Sequence, residues 1–285
     1  MRETDKANPC SDKVAPRRNP ECPEISVVLP VYRNADILHN LYLRLRRVLE
    51  HQGLSFELLF VDDACPAGSL TVLKELAKED GRVGVLALKR NVGQHRAIMT
   101  CLAHARGKFS IIMDADLQDP PEAIPMLLAK AKEGFAAVFA GRRGEYESPF
   151  RLFTSRIFKR LLNIFCGVPL DAGIYVVLNR KMVAQLLAYD EPRPFVVAMI
   201  GCARMLMFSI PVERAQRSTG ESGYSFWKRL KTGCLALAWV IFYKLRSKII
   251  QPKDQPIKQY SGKIVVKAYV GSRFDHAADE NLNKA

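Results

Sequence analysis

Asp114 and Asp116 stand two residues apart, directly after the apolar run 109–113. Two carboxylates at the end of a strand can converge on one hard divalent cation, and that cation can in turn bridge the phosphates of a nucleotide. Asp-X-Asp triplets also occur in ordinary solvated turns, so the meaning of this one depends on its neighbours. Three other polar clusters follow apolar runs in the same way: Pro30-Val31-Tyr32-Arg33-Asn34, Asp62-Asp63-Ala64-Cys65-Pro66 and Lys89-Arg90-Asn91-Val92-Gly93-Gln94. His95 and His104 have no second acid/base partner at a recognisable spacing and read as packed or surface residues.

The elements that must hold these clusters are legible from periodicity. Short apolar runs at 25–29, 56–61, 83–88, 109–113 and 136–140 predict strands, and amphipathic patterns at about 36–51, 69–79, 93–106 and 121–134 predict the helices between them. Strands that are apolar throughout and spaced by helices imply a parallel sheet buried on both faces, an α/β architecture. Ligands of such sheets bind beyond the carboxyl ends of the strands. The four polar clusters therefore share one rim, which becomes the active-site candidate. Further on, the pattern predicts a helix at about 150–166, a strand near 174–178, an apolar piece at 205–212 and a β-like run at 264–270.

Composition narrows the class. The chain has 285 residues, 48% of them hydrophobic and 25% charged, which excludes a wholly disordered or collagen-like protein. Its 7 cysteines are scattered without a CxxC pair, so neither a disulfide framework nor a zinc site is indicated, and a reducing cytosol fits. No apolar stretch follows the first residues, so a cleaved signal peptide is not expected. The net charge of +14 is uneven: residues 141–253 hold 19 Lys and Arg against 7 Asp and Glu, a surplus of 12. That half should meet something anionic. A nucleic-acid module is disfavoured, because no binding motif is present and aromatic residues are not interleaved with the basic ones.

Residues 1–24 read as a flexible leader, 226–250 as an amphipathic segment and 251–285 as a tail. Within 226–250 the uninterrupted apolar run 233–243 spans about 16 Å as a helix, too short for a hydrocarbon core of about 30 Å. Lys228, Arg229 and Lys231 precede it, Lys244, Arg246 and Lys248 follow it, and Trp227, Trp239 and Tyr243 supply interfacial aromatics. This predicts a helix lying in an anionic membrane surface.

Taken together, Pro30-Val31-Tyr32, Val61-Asp62-Asp63, Arg90-Asn91-Val92-Gly93-Gln94, Asp114-Ala115-Asp116-Leu117-Gln118-Asp119-Pro120-Pro121-Glu122 and Gly220-Glu221-Ser222 resemble the motifs of family 2 glycosyltransferases with the GT-A fold. More narrowly, they resemble the polyprenyl-phosphate branch, of dolichyl-phosphate mannosyltransferase and undecaprenyl-phosphate glycosyltransferase type. The resemblance runs from about residue 25 to 247. It implies a Rossmann-like, mainly parallel sheet over 25–225, with a nucleotide-sugar half at 25–140 and an acceptor half at 141–225.

It further implies a Mg²⁺ or Mn²⁺ ion held by Asp114, Asp116 and Gln118 against the diphosphate of a UDP- or GDP-linked sugar. Pro30, Tyr32, Asp62 and Asp63 would contact base and ribose, and Arg142, Arg156 and Arg217 would bind phosphate oxygens. Asp171 would orient the acceptor or act as base. The implied reaction is transfer of a sugar, with inversion, to a polyprenyl phosphate at the cytosolic membrane face. The alternative acceptor is a hydroxyl on a lipid-linked glycan, which would make a base at Asp171 essential.

Overall fold

The computed structural model describes residues 23–143, 149–189, 191, 193–214, 238, 240 and 266–270. Its strands are β1 (Ile25–Val31), β2 (Phe56–Asp62), β3 (Val83–Leu88), β4 (Phe109–Ile112), β5 (Ala137–Arg143), β6 (Val176–Asn179), β7 (Met207–Glu213) and β8 (Val266–Val270). They form one sheet in the order β7-β5-β6-β4-β1-β2-β3-β8. The helices are α1 (Leu38–His51), α2 (Ser69–Glu79), α3 (Gln94–Leu102), α4 (Ile124–Lys132), α5 (Pro149–Cys166), α6 (Arg180–Ala188) and α7 (Val196–Cys202).

Side-chain alternation explains the layering. Val27, Leu29, Leu58 and Phe60 point into a core shared with Leu41, Leu45 and Leu49 of α1, Leu73 of α2 and Leu127 of α4. Val28, Leu59, Val61 and Ile112 point to the opposite core, with Ile98 of α3, Met182 of α6 and Met199 of α7. Because both faces are covered, β1 to β4 are mostly apolar, which is why they read as near-continuous apolar runs.

The expected parallel sheet holds for β3, β2, β1 and β4, and β5 runs parallel to β7. The sheet departs from it at β6, which is antiparallel to both β4 and β5, and at β8, antiparallel to β3. β6 follows β5 through α5, and its reversed direction is set by its pairing between β4 and β5, which the strand pattern does not specify. With β6 reversed on both sides, β5 and β7 recover the direction of β4 and end at the same rim.

Several boundaries shift. The helix expected over 93–106 stops at Leu102, and β5 extends three residues past 140 to Arg143. The short α6 and α7, which the sequence pattern left unassigned, cover the second face. Of the segment 226–250, Val240 is described: it is fully buried against Leu162 of α5 and Ala198 and Cys202 of α7, while helical Ala238 is exposed. Part of the apolar run thus packs on the protein itself. The remainder of that segment, most of the leader and the tail outside β8 lie outside the described residues.

At the end of the sheet opposite the rim, the buried Glu57 accepts hydrogen bonds from Ser26 Oγ and from the Arg106 amide (2.9 Å), and Gly107 N donates to Ser26 Oγ at 2.7 Å. A Cβ at Gly107 would lie 2.5 Å from Ser26 N and 2.8 Å from Phe109 O, both backbone atoms that cannot swing away. Gly107→Ala is therefore expected to cost about 1–3 kcal/mol. A urea unfolding midpoint lowered at unchanged slope is the predicted result, and an unshifted midpoint would contradict this packing.

Candidate active site

The rim is built by the loops leaving β1 to β4. Three non-glycine residues in these loops adopt left-handed backbone conformations, Arg33 (φ 63°), Ala64 (φ 51°) and Leu117 (φ 60°), and Gly93 does the same (φ 88°) before α3. A left-handed L-residue costs roughly 1–2 kcal/mol. Such conformations persist where surrounding bonds over-determine them.

Those bonds run from loop to loop. Arg33 N donates to Cys65 Sγ (3.0 Å), joining the β1 and β2 loops, and Asn34 Nδ2 donates to the Ala115 carbonyl (2.9 Å), joining β1 to β4. Both carboxylate oxygens of Asp63 are engaged by backbone amides, Val92 at 2.7 Å and Gly93 at 2.9 Å, which fixes the β3 loop to β2. Gln94 Nε2 donates to Asp114 Oδ1 at 2.5 Å, and Tyr175 Oη donates to the Pro120 carbonyl at 3.0 Å. Burial alone would raise the Cys65 thiol, but hydrogen bonds from Ser69, Ala67 and Arg33 hold it below the usual cysteine range.

The sequence-predicted acids Asp62, Asp63, Asp114 and Asp116 lie on this rim, in different environments. Asp114 and Asp116 are partly exposed on the β4 loop, and Asp116 Oδ1 accepts from the Gln118 amide at 3.1 Å. Asp62 and Asp63 are almost fully buried. Burial holds Asp63 above the ordinary carboxylate range against its two amide bonds. Burial, with the charge of Asp63 added, does the same to Asp62. Asp62 Oδ2 accepts weakly from Cys65 N (3.4 Å), and Oδ1 is buried without a hydrogen-bond partner. Pro30 lies at the end of β1, paired with Val61, and Tyr32 stands 41% exposed with the Arg33 guanidinium 5.4 Å from its ring centre.

Two residues outside the predicted set organise the acidic loop. Asp119, 1% exposed, accepts from Asp114 N (3.3 Å) and from Arg214 Nε (2.7 Å), while Arg214 Nη2 lies 3.7 Å from Asp114 Oδ2. Burial works against the Arg214 charge, but Asp119, Asp114 and Asp116 more than offset it and raise its pKa. Asp119 was visible inside the motif 114–122. Arg214, three residues before the predicted Arg217, had no sequence signal distinguishing it from the other cations of the basic stretch.

In the second half, Asp171 sits where β5 passes: a side chain on Gly141 would overlap its carboxylate and approach Ser209 Oγ of β7 at 2.7 Å. Any larger residue there would have to displace the Asp171 carboxylate. Arg142 belongs to β5, paired with Val212, and Arg156 to α5, with their side chains outside the described residues, as is all of Arg217 and Gly220-Glu221-Ser222. His95 packs at 4.7 Å against Phe195, and burial lowers its imidazole to about 4, which keeps it neutral and structural.

The donor chemistry at Asp114, Asp116 and Gln118 is all hard oxygen, suited to Mg²⁺ or Mn²⁺. Among the described residues no three His, Cys, Asp or Glu side chains form a closed cage.

Residues 26–206 match the glycosyl transferase family 2 domain. The chain belongs to that family. It is 36% identical over 208 residues to an undecaprenyl-phosphate 4-deoxy-4-formamido-L-arabinose transferase of Enterobacter sp. (strain 638), covering 72% of this chain and 64% of that protein. It is 33% identical over 211 residues to the uncharacterized glycosyltransferase YkcC of Bacillus subtilis (strain 168), covering 73% and 65%. The alignments thus span just under two thirds of these relatives. Mannosyl-3-phosphoglycerate synthase from Rubrobacter xylanophilus superposes with a TM-score of 0.57 at 20% identity, covering 82% of this chain and 78% of that one. Glucosyl-3-phosphoglycerate synthase from Mycobacterium tuberculosis, solved with Mn²⁺, UDP and phosphoglyceric acid, gives 0.55 at 18% identity and 88% of each chain. These likenesses establish the GT-A fold. Among the described residues no helix is long and apolar enough to cross a membrane.

The raised Asp62 has a consequence for stability. An aspartate whose folded pKa lies above its unfolded value costs nothing below the ordinary aspartate range near 4, and destabilises the fold as pH rises through the folded pKa. Asp62→Asn should therefore raise Tm at pH 7, with the gain shrinking as the pH is lowered towards about 4. A Tm unchanged at both pH values, by calorimetry, would contradict this account of Asp62.

Proposed function

We propose that this chain transfers a sugar from a UDP- or GDP-linked donor to a polyprenyl phosphate at the cytosolic face of a membrane, with inversion. The observation that carries the reading is the acidic loop, Asp114 to Asp119, placed at the carboxyl end of β4 in a family 2 fold. The relative named as an undecaprenyl-phosphate transferase supports the acceptor class.

In this reading the nucleotide lies across the loops of β1 and β2. The buried, unpartnered Asp62 Oδ1 is the natural acceptor for a base N–H or ribose hydroxyl, since satisfying it removes the penalty of an orphaned buried oxygen. Asp63 serves the site indirectly, by fixing the β3 loop. Tyr32 offers an exposed ring at the floor of the base pocket. Asp114, Asp116 and Gln118 would hold a divalent cation, Mg²⁺ or Mn²⁺, which when bound neutralises charge building on the leaving diphosphate.

A phosphate acceptor is already ionised near neutral pH and asks for little proton removal. Asp171, held against β5, then acts by orienting the acceptor more than by taking a proton. Arg142, Arg156 and Arg217 are assigned to the phosphate groups, because a guanidinium grips phosphate oxygens with two parallel hydrogen bonds. Bringing the two anions together in line for attack is most of the catalytic task. The basic surplus over 141–253 suits an anionic bilayer as well as the lipid phosphate.

The test is a radiolabel transfer assay on purified protein with Mg²⁺ or Mn²⁺, a panel of UDP- and GDP-sugars, and undecaprenyl phosphate beside an undecaprenyl-diphosphate saccharide. Label should appear on the bare lipid phosphate, disappear with EDTA, and fall on the order of 10²–10³-fold in Asp116→Asn. Label confined to the saccharide-bearing lipid would overturn the acceptor assignment and make Asp171 the required base.

A further inference from the structure

Arg214 is a cation built into the site that should otherwise attract one. Its Nε donates to Asp119 Oδ1 at 2.7 Å, and Nη2 lies 2.5 Å from the same oxygen and 3.7 Å from Asp114 Oδ2. The side chain is only 14% exposed, and Asp119 beneath it is 1% exposed. Nη2 is buried and held in ion-pair contact with Asp119 Oδ1, outside linear hydrogen-bond geometry, with its charge turned towards the acidic loop. The guanidinium is anchored from β7, on the far side of β5 and β6 from the loop that it neutralises.

We propose that Arg214 is a positioning residue that makes cation binding at Asp114 and Asp116 depend on the nucleotide diphosphate. The inference rests on the metal and nucleotide reading given above and assigns the coupling within that site to one side chain. The physical reason is competition followed by cooperation. With no nucleotide present, a divalent cation approaching Asp114 and Asp116 meets the fixed positive charge of Arg214 and binds weakly. An arriving diphosphate brings negative charge that attracts both cations. Ion and diphosphate then enter as a pair, so the loop does not hold a tight ion in the resting enzyme. By linkage the ion must strengthen nucleotide binding by the same factor.

The experiment measures Mn²⁺ binding directly, from the electron paramagnetic resonance signal of free Mn²⁺, on the full chain with and without UDP or GDP. Arg214→Gln alone leaves Asp119 buried and uncompensated and is apt to unfold. The decisive pair is therefore Asp119→Asn against the double variant Asp119→Asn/Arg214→Gln, which differ by the guanidinium charge with no orphaned carboxylate in either. The double variant should bind Mn²⁺ about tenfold more tightly than Asp119→Asn in the absence of nucleotide, and its enhancement by nucleotide should shrink by a similar factor. Arg214→Lys, which keeps the charge, should retain the weak resting affinity of the parent.

Equal Mn²⁺ affinity in the pair, with the parent still binding Mn²⁺ and nucleotide, would overturn the role of Arg214 and leave the metal reading standing. No Mn²⁺ binding by the parent, with or without nucleotide, would overturn both.

Discussion

Parallel strands that stop at one rim leave their connecting loops without sheet partners, and every loop amide turned inward there must be satisfied by a side chain or by a ligand. This constraint governs the structure. Asp63 answers it for Val92 and Gly93, Asn34 binds the Ala115 carbonyl, Gln94 binds Asp114, and Asp119 takes the amide of Asp114. The result is a set of loops cross-linked to one another. Left-handed backbone at Arg33, Ala64 and Leu117 is tolerated because those cross-links hold it in place.

The same solution concentrates carboxylates. Side chains short enough to cap a loop and polar enough to accept two amides are mostly aspartates, so the rim collects Asp62, Asp63, Asp114, Asp116 and Asp119. Burial of several negative charges is unfavourable unless each is hydrogen-bonded or matched. Asp63 is matched by amides and Asp119 by Arg214, whereas Asp62 keeps an oxygen without a partner and Asp114 and Asp116 stay partly exposed. The site thus holds both fully buried acids that tie the loops together and acids that reach the surface of the rim.

Much of this was legible in the sequence because helix and strand periods differ and the polar clusters fall where one gives way to the next. All five strands of the first half and their helices lie close to the expected positions, and Asp114, Asp116, Asp62 and Asp63 share one rim. The pattern misled where pairing is decided by tertiary contact: nothing local in Val176–Asn179 marks it as antiparallel to both neighbours, and α6 and α7 are too short for a clear period. Arg214 was hidden for another reason. A cation in a stretch rich in cations is singled out only by the buried carboxylate it meets, and Asp119 lies 95 residues away in the chain.

In the proposed function, the loops of β1 to β4 form one nucleotide-diphosphate site. Hydrogen–deuterium exchange of the full chain, with and without UDP or GDP and Mn²⁺, tests it most directly. Exchange should slow together in segments 30–35, 62–68, 89–94 and 114–119, and stay unchanged around Glu57 and Gly107 at the opposite end of the sheet. Protection absent from those four segments for every nucleotide, or confined to the opposite end, would contradict the account.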